Sequence, residues 1–190
     1  LNLVEQRDDL LIEYATLLNQ TGKYREAKEL IDNHTFHPWE GGEGKVTTQY
    51  QVARVELAME AITDKRHDDA IQLLTECLDF PHHLGEGKLH GAQENDFFYL
   101  LGVAYEGLGD MASAHNCYER AIVGPQEPAA AMYYNDAKPD KIFYQGMALL
   151  RLGRKDEANG RFFKLINYGK QHIFEKVKMD YFAVSLPDLQ

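Results

Sequence analysis

Two short phrases in this 190-residue chain could do chemistry by their composition: Gly42-Glu43-Gly44-Lys45 and Gly85-Glu86-Gly87-Lys88. A glycine-rich turn ahead of a helix can offer amide groups to a phosphate, and Lys45 or Lys88 would add charge. The Gly-x-x-x-x-Gly-Lys-Ser/Thr cradle of nucleotide-binding loops is absent, however, and Glu43 and Glu86 would repel an anion. The phrases therefore read as tight turns. Histidines gather only at His82, His83 and His90, with His37 upstream, and none of the spacings is the His-x-x-x-His or Cys-x-x-Cys of a metal centre. No metal and no cofactor is expected. Carboxylates crowd the same stretches (Glu40, Glu43, Glu86, Glu94, Asp96, Asp136, Asp140). In an acidic chain this is expected without a pair of catalytic acids, and Asn95-Asp96 reads as a cap for a helix starting near Phe97. No Ser/His/Asp or Cys/His arrangement sits in a nucleophile-elbow context. No catalytic residue is assigned, and the chain is read as a non-enzyme.

The aromatics are stronger candidates for recognition. Trp39, the single tryptophan, lies between Pro38 and Glu40, and Met132, Tyr133 and Tyr134 lie between Pro128 and Pro139. Such residues either anchor a loop by packing or stand as platforms for a peptide or sugar ring. Packing is the simpler role for an insertion that needs anchors.

These residues must be positioned by something, and the spacing says what. Gly22-Lys-Tyr-Arg-Glu-Ala27, Gly109-Asp-Met-Ala-Ser-Ala114 and Gly153-Arg-Lys-Asp-Glu-Ala158 are versions of one phrase, with a weaker copy at Arg66-His-Asp-Asp-Ala70. The alanines at 27, 70, 114 and 158 give steps of 43, 44 and 44. The Gly-Glu-Gly-Lys phrase repeats with the same step, each time after an aromatic and a proline (Phe36 and Pro38, then Phe80 and Pro81). Between the phrases, apolar residues recur at three and four, as in Leu10, Leu11, Tyr14, Leu17 and Leu18, or Ile142, Phe143, Met147, Leu149 and Leu150, which is a helical period. The unit is a helical hairpin used about four times, over residues 5–36, 46–80, 95–125 and 138–169, with a terminal helix at 170–184. No stretch alternates with period two, so an all-α fold is expected.

In the third unit, Phe98, Leu101-Gly102, Tyr105, Ala114, Tyr118, Ala121 and Pro125 stand at the spacings of the tetratricopeptide repeat (TPR), which this unit resembles. Gly102 and Ala114 are small where two helices must cross closely, and Phe98, Tyr105 and Tyr118 are large to either side. The fourth unit keeps Gly146, Ala158 and Phe162. The first keeps Ala15, Leu18, Ala27 and Ile31, and the second Leu57, Ala58, Ala70 and Leu74. The period near 44 departs from the family's 34, leaving about ten extra residues per step in the connections 36–47, 80–95 and 124–140. Pro38-Trp-Glu-Gly-Gly-Glu-Gly-Lys45, Leu84 to Leu89, Glu94-Asn-Asp96 and Tyr133-Tyr-Asn-Asp136 resemble the TPR region of large, mostly bacterial proteins that carry an N-terminal domain of unknown function. That resemblance implies a fragment of a larger protein and carries no activity with it.

A TPR array further implies a concave groove lined by the first helix of each hairpin. By that analogy the groove includes Asn19, Val55, Met59, Tyr99, Val103, Glu106, Phe143, Met147 and Arg151, an apolar lining that calls for a ligand or for a cap such as the stretch 172–183. Along the loop edge the candidates are Trp39, Glu43, Lys45, Glu86, Lys88, Tyr133 and Asn135. Loops that share a phrase are expected to share a shape and to lie side by side.

Composition narrows the partner. Twenty Lys plus Arg against thirty Asp plus Glu leave a formal charge of −10, which argues against non-specific binding to nucleic acid or an anionic membrane. No apolar run is long enough to span a bilayer, and no leader-like start is present. Cys77 and Cys117, forty residues apart on helical segments, fit reduced structural thiols, and a cytoplasmic location is expected. The expected function is a non-catalytic scaffold that holds a protein or peptide, or other domains of its own chain, in the groove and along the loop edge. The alternative is an accessory part of a carbohydrate-active or sugar-binding protein, whose loops complete a site formed with other domains. One test follows from the register alone. Ala114→Leu adds methylenes at the helix crossing and is expected to cost about 1–3 kcal/mol; a thermal midpoint within a degree of the parent's would show the register to be misassigned.

Overall fold

The computed structural model describes residues 7–130, 136 and 138–176. Among them are eight α-helices and no strand: α1 (Asp8–Gln20), α2 (Tyr24–Asp32), α3 (Lys45–Thr63), α4 (His67–Glu76), α5 (Asn95–Leu108), α6 (Met111–Ala121), α7 (Asp140–Arg151) and α8 (Lys155–His172). A single 3-10 turn spans His82–Leu84. None of the described helices is long and apolar enough to cross a membrane. The chain divides into two compact units, Leu1–His90 with α1 to α4 and Gly91–Gln190 with α5 to α8.

Every hairpin turns in the same way. The residue just past the first helix has positive φ: Gly22, Lys65, Gly109 and Gly153. Its N–H, and the N–H of the residue after it, reach back to carbonyls of the last helical turn, as in Lys23 to Leu18 (2.8 Å), Arg66 to Ala61 (2.8 Å), Asp110 to Tyr105 (3.0 Å) and Arg154 to Leu149 (2.9 Å). This is the six-to-one closure that satisfies helix C-terminal carbonyls. Lys65 explains why the second copy of the turn phrase looks weak. The left-handed position is kept, but a lysine occupies it at φ 61°, which costs about 1 kcal/mol relative to glycine.

Five residues after each turn stands a fully buried alanine: Ala27, Ala70, Ala114 and Ala158. A second small residue lies seven before each turn, and its size matches the residue opposite. A Cβ at Gly102 would lie 2.4 Å from a ring carbon of Tyr118, and a Cβ at Gly146 would lie 2.4 Å from a ring carbon of Phe162. At the same places in the first two hairpins stand Ala15 with Ile31 and Ala58 with Leu74, all fully buried. Glycine faces an aromatic ring, and alanine faces an aliphatic chain.

In the first unit, α1 packs on α2 and α3, and α3 packs on α2 and α4. The core gathers Leu11, Ile12, Ala15, Ile31, Val46 and Tyr50 with Phe36 and Leu84 from the connections, and Leu30, Trp39 and Phe80 lean on it. The connections are thus anchored by their own apolar residues. In the second unit, α5 packs on α6 and α7, and α7 packs on α6 and α8. Tyr118, Leu149, Ile142 and Phe97 are buried there. Cys77 and Cys117 are both buried thiols without a disulfide; the Cys77 Sγ donates to the Leu73 carbonyl (3.4 Å), and burial raises the pKa of Cys117.

Two expectations need correction. Asn95-Asp96 do not cap a helix starting at Phe97. The helix begins at Asn95 with Glu94 as its cap residue and no side-chain cap bond, because Asn95 is turned inward to the end of α6 and Asp96 pairs with Lys141 at 2.6 Å. By contrast, Asp110 does cap α6, accepting from Ser113 N–H at 3.0 Å. Residues 170–172 continue α8 instead of opening a separate helix, and the rest of the expected segment 170–184, beyond Lys176, lies outside the described residues.

The size matching makes a sign-reversing prediction. Gly102→Ala gains about 1 kcal/mol in helix propensity but pushes a methyl into a buried ring, at a cost of about 1–3 kcal/mol. It should therefore destabilise the parent and stabilise a Tyr118→Leu background, which recreates the Ala58–Leu74 pair. Urea unfolding of the four proteins measures the coupling; the same sign in both backgrounds would refute the matching.

Candidate functional site

The first helices of the hairpins carry the groove candidates. In the second unit these do converge. The Tyr118 hydroxyl donates to Glu106 Oε2 at 2.6 Å, and Arg151 Nη1 donates to both Glu106 oxygens at 3.0 and 3.1 Å. Tyr99 is near enough to favour the Arg151 charge, and its ring lies 6.0 Å from Tyr118 and 5.8 Å from Tyr144. Phe143 stands at the edge of this group, 5.5 Å from Tyr144 and 5.9 Å from Phe162, and 44% of it is exposed. Burial, with Glu106 adding to it, pushes the Tyr118 hydroxyl far above its usual pKa, so it remains a donor. The result is a strip shared by α5 and α7 with a fixed Arg–Glu pair at one place and an exposed aromatic at another. Met147, on the same helix as Phe143, is half-buried.

In the first unit the groove candidates separate. Met59 lines a shallow depression of about 370 Å³ on α3 with Glu56, Glu60, Thr63 and Asp64. The Glu56 charge lifts the neighbouring Tyr24 hydroxyl above its ordinary pKa. Asn19 is buried and does not line a groove: its Nδ2 donates to the Gln49 carbonyl (3.1 Å) and to Gln49 Oε1 (2.9 Å), tying α1 to α3.

The loop edge is more internal than its composition suggests. Phe36 N–H donates to the His83 carbonyl at 2.8 Å, and a Cβ on Gly85 would lie 2.6 Å from the Phe36 carbonyl oxygen. The connections after α2 and after α4 therefore lie against each other, as expected. Their shared phrase does not share a shape. In the first copy the second glycine, Gly44, has positive φ and leads straight into α3; in the second copy the first glycine, Gly85, has it, and no helix follows until Asn95. The reason is contact: Gly85 passes over the Phe36 backbone, and Gly42 sits under the Trp39 ring, where a Cβ would come within 2.1 Å.

Glu86 fills the place considered for a phosphate. Its carboxylate accepts from Gly44 N–H at 3.0 and 3.2 Å and from the Thr47 hydroxyl at 3.4 Å, at the N-terminus of α3, an end that favours negative charge. Burial raises its pKa, and the Gly44 and Thr47 bonds only partly offset that. Lys88 donates to the Leu78 carbonyl at 2.7 Å, and Lys45 approaches Glu13 at 3.5 Å. Glu43 is exposed and Trp39 half-buried. Tyr133 and Asn135 lie outside the described residues. His37 joins His34 around Asp8: His34 Nε2 is 2.6 Å and His37 Nδ1 3.2 Å from its oxygens, and His37 N–H donates to it at 2.8 Å. Burial works against the Asp8 charge, but these bonds outweigh it and the pKa is lowered. Among the described residues no three His, Cys, Asp or Glu side chains converge as a metal requires.

Sequence reasoning missed the polar ties inside the hairpins. Arg54 is buried on α3, pairs with Asp32 on α2 (2.6 Å) and Glu76 on α4 (2.8 Å), and stacks over Tyr50. The Tyr50 hydroxyl is itself pushed up to about 12 by burial. Fourteen residues before each of the first three turns is a polar side chain that reaches the residue twelve after the same turn. Asp8 meets the His34 ring, Gln51 donates to the Cys77 carbonyl (3.3 Å), and Asn95 donates to the Ala121 carbonyl (2.7 Å). The same 43- and 44-residue steps that reveal the alanines would have revealed this series.

Residues 96–122, the α5–turn–α6 hairpin, match the tetratricopeptide repeat family model. That hairpin is a tetratricopeptide repeat, and with the turn and crossing common to all four hairpins the described residues form an all-α helical-repeat fold. Two solved structures are similar to this chain at 16% identity. One, "MamA RS-1 ArsTM double mutant", is matched over 89% of this chain and 79% of that one with a TM-score of 0.42; the other, "Crystal structure of MamA protein", over 92% and 79% with a TM-score of 0.39.

Glu86 yields a prediction with a defined sign. Because folding raises its pKa, the folded state binds more protons, and its contribution to stability falls as pH rises from the unfolded value near 4.5 through the raised one. Glu86→Gln keeps an acceptor for Gly44 N–H without the buried charge. It should match or exceed the parent in stability at pH 7 and lose that advantage as pH falls through the titration. Glu86→Ala leaves the Gly44 N–H unpaired and should cost about 1–3 kcal/mol. Denaturant midpoints between pH 4 and 8 check this; a Gln variant whose relative stability worsens with rising pH contradicts the assignment.

Proposed function

We propose that this protein is a non-catalytic interaction scaffold that holds a protein or peptide segment along the α5/α7 strip. The observation that supports this most directly is the combination at that strip of an exposed Phe143 with an Arg151–Glu106 pair that the Tyr118 hydroxyl holds in place. An apolar anchor beside oriented polar groups is what a peptide-binding surface needs. The aromatic side chain supplies most of the affinity, and the preorganised pair reads the polar neighbours at little entropic cost. The TPR match covers α5 itself, and the first helices of such repeats form the binding face of helical-repeat arrays. The sugar-binding alternative draws less support, since Trp39 lies on Gly42 and Glu86 is turned onto Gly44. A cytoplasmic setting with the buried thiols reduced fits the same reading.

A test that does not require the natural partner is available. A random peptide library panned on the immobilised protein should enrich sequences sharing an apolar anchor. Phe143→Ala should weaken those peptides about tenfold or more in calorimetry, and Arg151→Ala should alter which flanking residues are selected. Enrichment of no peptide, or of peptides indifferent to both substitutions, rules the strip out.

A further inference from the structure

Glu86 reaches from the connection after α4 to the start of α3, and the groups that meet it suit its neutral form better than its charge. Gly44 N–H is shared between its two oxygens, at 3.2 Å from Oε1 and 3.0 Å from Oε2. The Thr47 hydroxyl lies 3.4 Å from Oε2 and 3.2 Å from the Gly44 carbonyl. That hydroxyl has one proton and, while Glu86 is ionised, two acceptors for it. Thr47 is 6% exposed, so water has little access to make up the deficit. A proton on Oε2 resolves the conflict. Glu86 O–H then donates to Thr47 Oγ1, Thr47 O–H to the Gly44 carbonyl, and Gly44 N–H to Oε1.

The surrounding charges point the same way. Among the described residues no cation pairs with Glu86, and Glu43 on the facing connection repels it. Lys45, at the start of α3, turns to Glu13 of α1 at 3.5 Å, and Lys88, on the same segment as Glu86, donates to the Leu78 carbonyl. Of the other titratable groups on the two connections, His34 and His37 are engaged with Asp8, Glu40 and His82 are exposed, and His83 is half-buried.

The segment is built to pivot at this residue. Gly85 and Gly87 flank Glu86. On one side Leu84 is buried in the core and Phe36 N–H donates to the His83 carbonyl at 2.8 Å. On the other side, residues 87–92 are all exposed. Glu86 can therefore leave Gly44 without disturbing Leu84.

We propose that Glu86 is a pH-sensitive latch: protonated, it fastens the connection after α4 to the start of α3 through Thr47 and Gly44; ionised, it lets residues 86–92 lift away while Leu84 stays in the core. Burial and Glu43 hold the proton on the latched carboxyl above the usual 4.5, against the pull of the Gly44 and Thr47 bonds. The latch is closed below that usual value and opens as pH rises through the raised one. Opening bares the Gly44 N–H and the first turn of α3.

Trp39, the single tryptophan, covers Gly42 two residues before Gly44, so its fluorescence reports the junction. Between pH 4 and 8 the emission of the full chain should change with a midpoint above 4.5, and the Gly44 amide resonance should move with the same midpoint. Glu86→Gln, whose amide donates to Thr47 Oγ1 as the neutral acid does, should lack this step and keep the low-pH emission throughout. Any signal from His34 and His37 is common to both proteins, so the difference between the curves isolates Glu86. Thr47→Val removes the acceptor of the acid proton and should bring the midpoint down towards 4.5, whereas Thr47→Ser should retain the wild-type midpoint. If Thr47→Val does not fold by circular dichroism, Glu86→Gln decides alone. A wild type with no step, a step that survives in Glu86→Gln, or a folded Thr47→Val with an unchanged midpoint overturns the proposal. A Gly44 shift with no change at Trp39 and none in the exchange protection of Gly44 N–H means that Glu86 ionises in place, which overturns it too. Peptide binding at Phe143 enters none of these readouts, so the two readings succeed or fail separately.

Discussion

The close crossing of the two helices in each hairpin is the constraint on which the rest depends. A helix pair can approach this closely only if one side is nearly bare, and the bare residue must be scaled to what it faces. Gly102 under Tyr118 and Gly146 under Phe162 leave no room for a methyl group. Once the crossing is set, the turn has little freedom. It lies seven residues after the small position and five before the buried alanine, and the six-to-one closure there orients the second helix. This explains why Lys65 tolerates a left-handed backbone at the one turn that lacks glycine: the packing on both sides demands the conformation, and the residue complies at a modest cost.

Given that framework, polar groups work at fixed places with changeable chemistry. Position fourteen before the turn is Asp8, Gln51 or Asn95, and each closes the open end of the second helix in its own way, by an ion pair or by a side-chain amide. A buried arginine is treated similarly. Arg54 on α3 faces Glu76 on α4, and one repeat later the corresponding residues are Phe98 and Arg120, which meet as a cation over a ring at 3.7 Å. Both arrangements satisfy a cation between helices, the first with carboxylates and the second with π density. Asp32, drawn between burial on one side and Lys28 and Arg54 on the other, ends below its ordinary pKa, as the charge of Arg54 requires.

The connections follow a different logic from the helices. Their length exceeds what a hairpin array needs, and the first unit uses it to complete a core. Phe36 and Leu84 are buried, Trp39 and Phe80 lean on the same cluster, and Glu86 crosses from one connection to the end of a helix in the other. Residues that look reactive in a loop, a glutamate, a lysine and a tryptophan, are thereby engaged inside the protein. Among the described residues, most of the exposed large apolar side chains lie on the helices, Phe143 among them.

The sequence by itself determined the hairpins, their number and their helical class, because periodicity and small-residue spacing are local consequences of the helix repeat. Ala27, Ala70, Ala114 and Ala158 were legible at sight, as was the TPR character of the third hairpin. Only the tertiary structure decided which polar residues meet. Asn19 is a tie between α1 and α3, Glu86 is the anion at α3, and two identical Gly-Glu-Gly-Lys phrases take different shapes. The physical reason is that a loop's conformation is chosen by what it touches. Gly85 is bent by the Phe36 backbone and Gly42 by the Trp39 ring, and neither contact is encoded within the phrase that repeats.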